Sequence, residues 1–334
     1  MTALPTGPAA LDPGDQRRAL LERLLATGRG TAAPLDTIPR APRQGPLPLS
    51  FAQQRLWLLE NLRPGTAEYV VPIGWRLDGP LDVPALRRAL DALLQRHEVL
   101  RTRYQECDSV PGQLPLPAGE LDFTLVDLGE PDQDLGERRL AELVDAQART
   151  PFDLGGRGPV RAELVRFTDQ HHVLLLIFHH IAFDGASAGL LARELDQLYR
   201  TFTEGDGRLP AAPAIQYGDF ASWQRRPGAE AALAGHLAYW REQLAGAEAL
   251  ELAADRPRPA VFDPAGALHA FTVPAALARS LAEFGRSRGA TPFMVLLAAF
   301  QLLLARHAGR TDVTVGSPVA GRTRAEVREL IGFF

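Results

Sequence analysis

Val173-Leu174-Leu175-Leu176-Ile177-Phe178-His179-His180-Ile181-Ala182-Phe183-Asp184-Gly185 is the stretch that decides the fold. The run from Val173 to Phe178 is apolar without alternation, so it reads as a strand covered on both faces at the centre of a sheet. Polar residues follow at once, and the next periodic segment, about Ala186 to Phe202, reads as a helix. A strand-to-helix junction of this kind holds reactive groups on a rigid base and exposes them in the loop. Imidazole exchanges protons near neutral pH, and adjacent histidines on an extended chain point to opposite sides. At most one of His179 and His180 therefore faces a given cavity. Asp184 lies four residues beyond His180, and Gly185 allows close approach of backbone or ligand.

Each of these residues has a plain reading beside the chemical one. A histidine at a strand end is commonly a hydrogen-bonded core residue, and Asp184 is either catalytic or a buried carboxylate paired with an arginine. The second role suits a chain whose 36 basic residues are all arginine. Without lysine there is no Schiff-base, Walker-type or lysine-base chemistry. The single cysteine, Cys107, excludes an intrachain disulfide and multi-cysteine metal sites. No Glu or Cys stands at zincin or finger spacing from the histidines, so no metal site is expected.

Working outward, the chain reads as mixed α/β. Strands are expected at Tyr69–Leu77, Leu100–Gln105, Asp122–Val126, Pro159–Phe167, His172–Phe178, His269–Val273 and Asp312–Gly316. The two around Thr168-Asp169-Gln170 should form a hairpin. Helices are expected at Asp82–Gln95, Leu135–Arg149, Ala186–Phe202, Ala229–Leu244, Ala275–Arg288 and Pro292–His307. Residues 1–46 read as linker with one short docking-type helix, Asp15–Thr27. Gly and Pro cluster again at 205–214, which suggests lobes at 47–210 and 211–334. The 334 residues suit two domains or one large two-lobed one at roughly 100–200 residues per domain.

Net charge is −4, so no global field exists to hold nucleic acid or an anionic membrane. No apolar run reaches the roughly 18 residues of a membrane span, and the N-terminus lacks the apolar stretch of a signal peptide. A cytoplasmic protein is the expectation, and the codon bias implied by abundant Ala, Leu, Arg, Gly and Pro looks bacterial. His97 and Arg101 should fix a helix-to-strand corner, Trp57 and Trp223 should pack, and His171 and His172 should face solvent.

His179-His180-x-x-x-Asp184-Gly185 resembles the HHxxxDG signature of condensation domains from nonribosomal peptide synthetases. Further stretches resemble other motifs of that family in the family's order: Ser50 to Leu58, Arg96 to Thr102, Pro151 to Leu154, Tyr217 to Gln224, Gly316 to Arg322, and Ile331 to Phe334. The resemblance covers residues 47–334. It implies two chloramphenicol acetyltransferase-like lobes in a V, the second truncated here because the family's domain continues past Phe334. It implies amide formation between a donor acyl thioester and an acceptor amine, with His180 as catalytic residue, by proton transfer or by orienting the amine. His179, Asp184, Gly185 and Arg55 would support the loop, with Arg55 pairing Asp184 and a Gly185 N–H near the oxyanion. The implied partners are donor and acceptor peptidyl carrier proteins and an adjacent adenylation domain. The implied 4'-phosphopantetheine rides on the carriers, and no cofactor is bound by the domain itself. The chain departs from the family in having Ala186 where tryptophan is common. A carrier-binding platform without activity and a stand-alone acyl-CoA acyltransferase are the rival readings.

Overall fold

The computed structural model describes residues 37–129, 133–205, 209–257, 266 and 269–334. The chain divides into two compact units, Met1–Pro39 and Arg40–Phe334, and every described helix and strand belongs to the second. The helix expected at Asp15–Thr27 lies outside the described residues.

In chain order the elements are β1 (Leu47–Pro48), α1 (Phe51–Leu62), β2 (Val70–Asp78), α2 (Val83–Arg96), a 3-10 turn (Glu98–Arg101), β3 (Thr102–Cys107), β4 (Val110–Pro115) and β5 (Phe123–Asp127). Next come α3 (Gln133–Arg149), β6 (Val160–Thr168), β7 (His171–His179), α4 (Gly185–Glu204), α5 (Tyr217–Gln224), α6 (Ala229–Gln243), α7 (Ala275–Ser287) and α8 (Pro292–Ala308). The main sheet runs β2-β7-β6-β5, with β7 antiparallel to both neighbours and β5 parallel to β6. A smaller sheet runs β1-β4-β3.

β7 is central, as its sequence predicts, and its residues from His172 to His179 are all buried. Side chains alternate across a strand. Leu174, Leu176 and Phe178 therefore join α2 and α4 in one core layer, through Leu86, Leu90, Leu93, Leu191 and Leu198. Val173, Leu175 and Ile177 face the other way, into a layer with Leu140, Leu143 and Val144 of α3. Each fully buried Leu or Ile stabilises the fold by roughly 1.5–3 kcal/mol relative to an exposed one. His172 is a correction: it is 4 % exposed, not solvent-facing, because β7 begins at His171 and places His172 opposite Leu77 and Arg166. Burial pushes its pKa down, and the nearby Arg166 adds to the effect.

Caps fix where the helices start. Ser50 and Gln53 form a reciprocal capping box on α1, and the Asp82 side chain accepts from the Ala85 N–H on α2. α4 ends on Gly205 in the left-handed region, φ 81°, which glycine adopts without steric cost. The corner after α2 is held as expected. His97 Nε2 lies 2.6 Å from Glu194 Oε2, and Arg101 donates to the carbonyls of Leu94 and Leu116.

The second half differs. α6, α7 and α8 form near their expected bounds, yet Leu237, Trp240, Phe284, Phe293, Phe300 and Leu302 remain about half exposed. The strands expected at 269–273 and 312–316 are corrections: neither enters a sheet among the described residues. A strand's N–H and C=O groups need a neighbouring strand, and no described strand lies beside them. From Val327 the chain returns to the core, with Leu330 and Ile331 buried. No single described helix is long and apolar enough to cross a membrane; α7 and α8 together reach that length and composition but bend by 104°.

Candidate active site

The candidate site is the turn between β7 and α4. β7 stays latched to its neighbours to its last residue, with His179 N–H donating to Pro159 O at 2.9 Å and His180 N–H to Tyr69 O at 2.8 Å. The chain then turns tightly, Ala182 N–H donating to His179 O and Phe183 N–H to His180 O. The Phe183 ring stacks on Phe178 at 4.0 Å between centroids, which anchors the turn to the core.

The two histidines diverge, as the strand geometry predicts. His180 is part-exposed, and its Nδ1 lies 2.6 Å from the Phe183 carbonyl oxygen. A carbonyl only accepts, so Nδ1 carries the proton, and any lone pair the ring offers lies at Nε2. Phe333 covers one side of the ring, with centroids 4.7 Å apart. His179 is 2 % exposed, packed between the rings of Tyr69 and Phe152, and its Nδ1 accepts from the Ile181 N–H at 3.1 Å. Burial, then the neighbouring His180, pushes its pKa down to about 4, so it stays neutral at physiological pH. With both Nδ1 atoms committed to the backbone and the rings on opposite sides, the pair does not converge on a common ligand.

Asp184 caps α4. Its Oδ1 accepts from the Ser187 N–H at 2.8 Å, from the Ser187 hydroxyl at 2.7 Å and from Arg322 NH2 at 2.9 Å, and its Oδ2 accepts from the Phe334 N–H at 3.3 Å. Arg322 is thus the partner, and the expected pairing with Arg55 is corrected. Gln53 faces the core from α1, and Arg55 lies two residues on, about 200° around the helix, where it is exposed. Arg322 also donates to the carbonyls of Val327 and Leu330 and lies 4.2 Å from the Phe334 ring centroid. One guanidinium therefore ties the start of α4 to the closing segment. Its motif was visible in the sequence, but spacing alone cannot choose one arginine among 36.

Ser187 and Tyr217 also brace this turn, a role that the sequence does not reveal. The Ser187 hydroxyl meets both the N–H and the C=O of Gly332 at 3.1 Å. Tyr217 Oη bonds Ser50 Oγ at 2.8 Å and donates to the Phe333 carbonyl. A Cβ at Gly332 would overlap the Tyr217 ring, so glycine is required there. These bonds hold three consecutive residues, Gly332 to Phe334, and so set the Phe333 ring against His180.

Gly185 opens α4, where the N–H has no intrahelical acceptor. It is exposed, and a Cβ there would meet nothing within 4 Å, so the space beside it is open. A cavity of about 420 Å³ lined by Arg87, Arg101, Arg157 and Phe123 includes none of these residues. Trp57 packs against the core and Trp223 lies between the Arg226 and Arg324 guanidiniums.

Comparison with known proteins gives one consistent result. The family model described as "Condensation domain" matches residues 43–334. A linear gramicidin synthase polypeptide of Brevibacillus parabrevis is 44% identical over 306 residues, covering 91% of this chain and 4% of its own. Phosphinothricin tripeptide synthetase PhsC of Streptomyces viridochromogenes is 43% identical over 344 residues, covering 100% of this chain and 31% of its own. Among solved structures, the first condensation domain of the calcium-dependent antibiotic synthetase, in complex with a substrate analogue, superposes with a TM-score of 0.70 at 26% identity. That match covers 86% of this chain and 68% of the other. The chain thus spans a small part of the curated synthetases it matches.

Proposed function

The chain belongs to the condensation-domain family, and on that premise we propose that it forms amide bonds between two carrier-bound substrates in nonribosomal peptide synthesis. The acceptor's amine nitrogen attacks the carbonyl carbon of the donor thioester. The carbon–sulfur bond breaks, the thiolate leaves with the carrier's phosphopantetheine arm, and the nitrogen gives up a proton.

The observation that carries this reading is the bond from His180 Nδ1–H to the Phe183 carbonyl. It leaves the Nε2 lone pair uncommitted to the Phe183 carbonyl, able to accept the amine's N–H as a hydrogen bond and to take the proton as the bond forms. Phe333 excludes water from one side of that ring. Gly185, with open space beside it and a spare N–H, fits the passage of a slender arm and hydrogen bonding to the oxyanion. Asp184, Arg322 and Ser187 hold the loop and touch no reactant. Tethering both substrates supplies much of the rate by proximity.

The partners are donor and acceptor peptidyl carrier proteins, with an adenylation domain loading the acceptor, in the cytoplasm. The domain holds no cofactor of its own, and the lobes divide near residue 210. The test is an intact-mass assay with both carriers loaded. Transfer of the donor group onto the acceptor carrier is expected. Carrier binding without transfer would favour a recruiting platform, and transfer from soluble acyl-CoA to a free amine would favour a stand-alone acyltransferase.

A further inference from the structure

Two largely enclosed titratable groups beside the motif, Glu60 and His179, take no part in the chemistry above. Glu60 sits on α1, seven residues after Gln53 and therefore on the same face two turns along. Both α1 residues reach the turn that carries His180. Gln53 is 0 % exposed and its Nε2 donates to the Ile181 carbonyl at 3.2 Å. The Ile181 N–H goes to His179 Nδ1, which leaves the proton of that neutral ring on Nε2. His179 Nε2 in turn points at Glu60, 3.7 Å from Oε2. That carboxyl oxygen is buried and has no hydrogen-bond partner among the described residues. The separation exceeds a hydrogen bond, but a buried acceptor facing a buried N–H donor still interacts through low-dielectric surroundings. The Ile181 C=O is thus bonded directly from α1, and its N–H is bonded by His179, whose other ring nitrogen faces Glu60 of α1.

We propose that Glu60 is a positioning residue that acts through His179, selecting its Nε2–H tautomer so that Nδ1 remains free to accept the Ile181 N–H. In the other tautomer Nδ1–H would face that N–H donor to donor, and the bond that shapes the turn would be lost. The same turn presents the Phe183 carbonyl that fixes the His180 proton on Nδ1. Glu60 therefore reaches the catalytic ring through two fixed tautomers without touching a reactant. Its effect on rate rests on the assignment of His180 given above, whereas its effect on His179 does not.

The test uses the full chain and two variants. Glu60→Met keeps the bulk and removes the acceptor, and because Glu60 Oε2 has no hydrogen-bond partner among the described residues, the change breaks no bond at that atom. Glu60→Gln keeps an acceptor oxygen. Histidine ¹⁵N NMR should show His179 as the Nε2–H tautomer in the wild type and in Glu60→Gln, and as a mixture in Glu60→Met. In the condensation assay Glu60→Met should lose about tenfold in kcat with KM unchanged, as misplacing a reacting group does. Glu60→Gln should stay within about threefold of wild type. An unchanged tautomer in Glu60→Met, or equal kcat losses in the two variants, would overturn the proposal. If the wild type forms no amide, the His180 reading fails, and the NMR comparison still decides the role of Glu60.

Discussion

Two apolar stretches of similar composition meet opposite fates in this chain. β7 from Val173 to Phe178 is fully enclosed, Phe178 being 1 % exposed, whereas α8 carries Phe300 at 48 % and Leu302 at 59 %. The difference lies in neighbours. β7 has a strand on each side and a helical layer on each face, while α8 contacts α7 as its chief companion. Apolar residues stabilise a fold by the area they remove from water, so composition alone does not measure what a segment contributes. The turn that carries His180 grows from the enclosed region, which explains how a mobile kind of element, a loop, can hold a ring in one tautomer.

The comparison can be broken first at the ion pair that ties the closing segment to the enclosed region. Arg322 comes from the closing segment yet pairs with a carboxylate in the enclosed region, the two side chains being 9% and 12% exposed. Arg322→Ala leaves Asp184 buried without its cation and should cost about 3–5 kcal/mol in urea unfolding. A loss under about 1 kcal/mol would show that Asp184 is satisfied without it. Within the sheet, Leu174→Ala removes a 0 % exposed side chain and should cost about 3 kcal/mol.

A pH series sharpens the same contrast. His179 has a folded pKa of about 4 and is charged more readily when unfolded, where the ordinary value is about 6.5. Its contribution is therefore fully present above pH ~6.5 and is lost as pH falls toward 4, by up to about 3 kcal/mol. Replacing His179 with Asn should flatten that limb of the stability curve, and an unchanged limb would place its origin elsewhere. At the small end, Leu302→Ala on α8 should cost under about 1 kcal/mol, since little area leaves water there. A cost equal to that of Leu174→Ala would mean that α8 is covered in solution.

Much of this was legible in residue order. The uninterrupted apolar run marked β7 as central, and the 3.6-residue periodicity located α2, α3, α4, α6, α7 and α8. The junction carrying His179 and His180 was legible as a strand end meeting a helix, whereas the choice of His180 came from the family resemblance and not from the junction itself. The Asp184–Arg322 pair was not, because Arg322 at 138 positions and Arg55 at 129 are both distant motif arginines, and separation cannot choose between them. Ser187, Tyr217 and Glu60 escaped for a related reason: each acts through a backbone group or ring brought close only by folding. β4 and α5 were missed because Pro111, Gly112 and Pro115 interrupt one and the other is only 8 residues long. The strands expected at 269–273 and 312–316 had the right residues but no described neighbour, and a strand is a property of pairs.

The central claim is that His180, held by the Phe183 carbonyl, handles the proton of amide formation. Single-turnover kinetics with preloaded donor and acceptor carriers test it most directly, comparing wild type with His180→Ala. A drop of about 10²–10⁴-fold in the rate of amide formation, with carrier affinity unchanged, is the predicted result. Equal rates in the two proteins would contradict it.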